Sequence, residues 1–109
     1  MALTASKTVK LVLMSCMVLA TGVAVAQDGA ALYKSKTCFT CHGKDGKTPI
    51  MPNYPYIAGQ NREYVLQQMA DIKSGARSNG QSAAMKGVMG LVSQEEMEAL
   101  ADYVSTMAP

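Results

Sequence analysis

The sequence predicts a small all-α domain, and three observations carry that prediction. A removable leader leaves 83 of the 109 residues, the length of one domain. Apolar residues recur at helical offsets in two long stretches, while a shorter stretch runs up to a pair of cysteines. Nothing alternates with period two for long enough to make a strand, and the intervening segments are punctuated by proline and glycine.

The leader comes first. Met1 to Lys10 holds two lysines and no acid, Leu11 to Ala20 is apolar, and Ala24-Val25-Ala26 fits a small-x-small cleavage site. Residues 1–26 therefore read as a secretory signal peptide, with residues 27–109 as the working domain beginning at Gln27. The apolar run from Leu11 to Ala26 spans 16 residues, short of the ~20 a spanning helix needs, so no stable membrane anchor is expected.

In the working domain Asp28 is placed to cap a first helix running to about Thr37. Gly43 to Gln60, with Pro49, Pro52 and Pro55, reads as loop. Asn61 caps a second helix, Arg62 to Ser74, whose stripe is Tyr64, Val65, Leu66, Met69 and Ile72; Gly75 stops it. Arg77 to Val92, with Gly80, Gly87 and Gly90, reads as loop again. Ser93 opens the last helix with Glu96 three residues on, a capping box. Met97, Leu100, Ala101, Val104 and Met107 then share one helical face.

Charge excludes one class of function. Without the leader the chain carries 8 basic and 8 acidic residues, and no basic cluster interleaved with aromatics suggests nucleic acid. Long-range electrostatic steering of a partner is expected to be modest. The core is lean, with no tryptophan and one phenylalanine. Cys16 leaves with the leader, so the domain has no disulfide available. A domain this short gains from an additional apolar body inside its core.

Cys38-Phe39-Thr40-Cys41-His42 supplies that body. C-x-x-C-H is the attachment signature of a c-type haem: Cys38 and Cys41 form thioethers to the macrocycle, and His42 ligates the iron. Structural zinc needs about four Cys or His ligands, whereas His42 is the sole histidine and Cys16 the sole other cysteine. A thioredoxin-like dithiol expects a βαβ setting that is missing here. Haem attachment to an exported chain points to a periplasm or an equivalent compartment. Phe39 and Thr40, inside the attachment loop, are candidates to border an exposed haem edge.

From Asp28 to Met107 the chain resembles a class I c-type cytochrome, with three main helices around one covalently attached haem. It is most similar to one half of the tandem di-haem c-four group. Gly29 with Tyr33, and Leu100 with Tyr103, resemble that family's crossing of first and last helices. Pro52 to Gln60 is similar to the segment after the haem motif, and Tyr64 to Gly75 to the middle helix. The resemblance implies that the carbonyl of Pro52 accepts the ring N–H of His42. It also implies a methionine ligand from the loop before the last helix. Met51 lies near the motif, and Met69, Met97 and Met107 fit helical core faces, which leaves Met85 and Met89. The family's spacing of eight residues before the opening serine selects Met85, counted from Ser93, with Met89 as the alternative.

His/Met ligation leaves no open position on the iron. The implied function is a periplasmic electron carrier, not an enzyme. It would take electrons from a dehydrogenase or quinol-oxidising complex and pass them to a terminal oxidase or reductase. A cytochrome subunit of a periplasmic oxidoreductase is the alternative, and a homodimer is one arrangement open to either. A gas sensor or peroxidase would need an open iron position and a distal histidine that the sequence lacks.

Overall fold

The computed structural model describes residues 27–109; the leader and its cleavage site lie outside the described residues. Five helices follow in order: α1 (Gly29–Ser35), α2 (Cys38–His42), α3 (Arg62–Ser74), α4 (Ser82–Met89) and α5 (Gln94–Thr106). Among the described residues there is no strand. No helix there is long and apolar enough to cross a membrane.

The caps act where the sequence places them. The Asp28 carboxylate accepts from the amides of Ala30 and Ala31 at 3.0 and 3.2 Å, and Asn61 accepts from Tyr64. Ser93 and Glu96 close their capping box reciprocally, Glu96 N to Ser93 Oγ at 3.2 Å and Ser93 N to Glu96 Oε1 at 3.0 Å. Each bond satisfies an amide that the first helical turn leaves without a partner.

Two expectations are corrected. The first helix stops at Ser35, because Thr37 adopts a left-handed backbone (φ 63°) that breaks the path and starts α2 in a new direction. Thr37 is the one non-glycine residue with positive φ among those described, and that conformation is costly for a β-branched side chain. The second correction is α4, which occupies Ser82 to Met89 inside the segment expected to be loop. Glycines disguise it, but Met85, Val88 and Met89 are spaced to face one side.

α5 is the hub. It packs on α1 and α3, α4 packs on α3, and α2 touches only α1. The core holds Leu32 and Tyr33 of α1, Met69 and Ile72 of α3, Met89 of α4, and Met97, Leu100, Ala101 and Val104 of α5. Val92, 1% exposed, fills the corner between α4 and α5. The α1–α5 crossing is close enough to require glycine: a β-carbon on Gly29 would sit 2.4 Å from the Ala99 carbonyl oxygen and 2.6 Å from Tyr103 Cβ. Tyr33 and Tyr103 meet edge to face across it, with ring centroids 5.5 Å apart.

Candidate haem site

α2 presents its two thiols three positions apart, hence on one face of a single helical turn. Both cysteines are partly exposed. Burial pushes the Cys38 thiol up to about 11, with nearby Cys41 adding to the effect. His42 follows at the end of the turn and is 8% exposed. Gly43 then ends α2 with φ +83°, where a β-carbon would lie 2.5 Å from the Thr48 carbonyl oxygen.

His42 Nδ1 lies 3.1 Å from the carbonyl oxygen of Pro55. A carbonyl can only accept, so Nδ1 carries the proton and Nε2 keeps its lone pair. Burial lowers the His42 pKa, and the Pro55 bond opposes that in part. The result is a neutral, oriented imidazole, the form a metal requires. The expected acceptor, Pro52, does not fill this role. Residues Met51 to Tyr54 form a turn closed by Tyr54 N to Met51 O at 3.1 Å, which leaves Pro52 on its exposed rim and brings Pro55 to the ring instead.

Large apolar side chains are exposed on the segments that hold this motif. Phe39 belongs to α2, Ile50 donates its amide to the Cys41 carbonyl at 3.0 Å, Met51 follows it, and Tyr56 follows Pro55. Exposures of 66% for Ile50 and 68% for Tyr56 are high for residues that would otherwise be core. A flat apolar macrocycle bonded at Cys38 and Cys41 fits such a rim. Among the described residues no three His, Cys, Asp or Glu side chains converge on a common point, so the motif lacks the ligand geometry of a zinc site.

Met85 and Met89 are both on α4, and they differ. Met89 is 2% exposed and belongs to the core, whereas Met85 is partly exposed and packs at the core's edge. α4 makes no contact with α2, so Met85 and His42 sit on separate elements. Sequence reasoning missed two contacts here: the Pro55 acceptor, and the Tyr33 hydroxyl, which donates to the Gly43 carbonyl at 2.7 Å.

Comparison with known proteins agrees with this chemistry. The Cytochrome c family model matches residues 26–108. The chain is 37% identical over 103 residues to cytochrome c-553 of Nitratidesulfovibrio vulgaris, covering 93% of this chain and 99% of that protein. It is 34% identical over 88 residues to a thiosulfate dehydrogenase electron acceptor of Stutzerimonas stutzeri, covering 81% of this chain and 39% of the relative. The crystal structure of reduced recombinant cytochrome c4 from Pseudomonas stutzeri superposes with a TM-score of 0.67 at 27% identity, covering 76% of this chain and 48% of that one. The chain thus spans nearly all of one relative and less than half of the other two proteins.

Proposed function

Because the chain belongs to the cytochrome c family, we propose that it is a periplasmic one-electron carrier whose single haem is held between His42 and Met85. It carries one covalently bound haem c and is an electron-transfer protein rather than an enzyme. When bound, the haem supplies an iron that alternates between ferrous and ferric states without a change of ligands.

The observation that carries this reading is the Nδ1–H bond from His42 to Pro55, which fixes the tautomer and leaves Nε2 to ligate. Cys38 and Cys41 provide the covalent attachment. Met85, at the core's edge, would supply a thioether as the second iron ligand, while Met89 is buried in the core. Phe39, Ile50, Met51 and Tyr56, exposed on the segments around the motif, would shield a bound macrocycle from water, which would favour the less charged ferrous iron. Residues 1–26 act as the cleaved export signal. A periplasmic dehydrogenase is the proposed donor, supported by the relative named as the electron acceptor of thiosulfate dehydrogenase. A terminal oxidase or reductase is the proposed acceptor.

The test is spectroscopic. Met85→Ala should abolish the weak near-infrared band of sulfur bound to ferric iron, lower the potential, and admit carbon monoxide. Met89→Ala should keep the band. The opposite pattern would move the ligand to Met89, and persistence of the band in both would remove the methionine assignment from α4. Intact mass should show a chain starting at Gln27 with one haem that resists acid-acetone extraction.

A further inference from the structure

We propose that Lys36 and Lys73 clamp the linker between α4 and α5, and thereby act as positioning residues for the sixth iron ligand. The proposal rests on Met85 being that ligand. The linker is short: α4 ends at Met89 with Gly90 as its cap, and α5 is capped by Ser93. Leu91 and Val92 are all that lies between these caps.

Two ammonium groups from different helices hold successive carbonyls of that linker. Lys36, the C-cap of α1, donates from Nζ to Leu91 O at 2.8 Å across 55 residues of sequence. Lys73, in the last turn of α3, donates from Nζ to Val92 O. Lys36 also bridges Glu96 Oε2 at 3.2 Å, and Glu96 in turn accepts from the Ser93 amide. The Leu91 side chain is 75% exposed and gives the linker no anchorage at that position. Its carbonyl is held by lysine instead.

The placement of Lys36 matters most. It stands two residues before Cys38, at the start of the turn that carries His42. One side chain therefore ties the element bearing the proximal ligand to the segment that ends the helix bearing the distal one. Among the helices, α4 packs only against α3; buried Met89 and Val92 anchor its C-terminal end in the core, and the clamp adds a polar restraint on the backbone between them and α5. Hydrogen bonds from charged donors are stronger and more directional than neutral ones, which suits them to fixing a distance. A loosened linker lets α4 swing and the Met85 sulfur dissociate more often, exposing the iron to small ligands.

The experiment uses ferric holoprotein and cyanide as the probe. Lys36→Ala, Lys73→Ala and the double variant are compared with Lys36→Arg and Lys73→Arg, which keep a charged donor. Cyanide binding, limited by release of the methionine, should accelerate by roughly tenfold or more in the double variant. It should rise less in each single alanine variant and return toward the parent rate with arginine. A double variant that melts earlier but binds cyanide at the parent rate would overturn the proposal, since general loss of stability would then be the whole effect. If the double variant fails to accumulate, the single variants decide by the same criterion. Met85→Ala separates the two readings. If it keeps the near-infrared band, the ligand assignment falls and takes the clamp's role with it. If it loses the band while the lysine variants bind cyanide at the parent rate, the clamp alone falls.

Discussion

The hydroxyl of Tyr33 donates to the carbonyl of Gly43 at 2.7 Å, joining the buried face of α1 to the residue that ends the His42 turn. The ring is 3% exposed, so the bond is made where water competes poorly. It positions α2, which no other helix contacts. Tyr33→Phe should lower stability by about 1 kcal/mol. A melting temperature lower by roughly 4–8 °C would show it.

The same residue sets a limit at high pH. Burial is the main cause that raises the Tyr33 pKa to about 12 from 10.0. The unfolded chain then loses this proton first, so stability contributed by the neutral phenol is complete below pH 10 and declines as pH rises toward 12. Denaturant midpoints measured across that window should fall more steeply in the parent than in Tyr33→Phe. Equal slopes would show that other groups govern the alkaline limb.

Gly29→Ala tests the helix crossing. The added β-carbon meets a backbone oxygen of α5, which cannot rotate away as a side chain could. Overpacking of this kind costs about 1–3 kcal/mol. Thermal unfolding should detect the loss, while the near-infrared band stays as in the parent.

Ser93→Ala removes the side chain that accepts from Glu96 N. A stability loss of about 1 kcal/mol is expected. Glu96 itself has a lowered pKa, chiefly from its bond to the Ser93 amide. Its contribution is therefore present above the ordinary carboxylate range and is lost as pH falls through the lowered value. Glu96→Gln should flatten that part of the acid limb.

Met89→Ala and Met85→Ala should divide stability and spectroscopy between them. Truncating the buried Met89 should cost about 2–5 kcal/mol without altering the iron's ligands. Urea titrations of the holoproteins beside their optical spectra would check this.

Much of this was legible in the sequence, and the rest was hidden for identifiable reasons. Asn61, Gly75 and the Ser93–Glu96 pair marked the long helices because capping is local chemistry. The attachment motif was legible because thioether formation and ligation demand a fixed spacing. α4 was obscured by Gly87 and Gly90, and by Gln81, whose side chain makes no cap bond. The acceptor for His42 could not be read because three prolines compete within seven residues, and the choice among them depends on one turn. Lys36 and Lys73 gave no signal at all. Their partners are backbone carbonyls, which carry no residue identity.

The crossing of α1 and α5 also has a consequence for timing. Leu32 and Tyr33 find their cover on α5, the last of the described helices to be synthesised. Until that helix arrives, the first part of the chain has no surface to fold against, and α2 hangs from an undocked α1. Cys38 is then solvated, free of the partial burial that raises its pKa to about 11 in the closed fold and so disfavours the reactive thiolate. Covalent capture of the haem would therefore meet least obstruction before the first helix closes on the last.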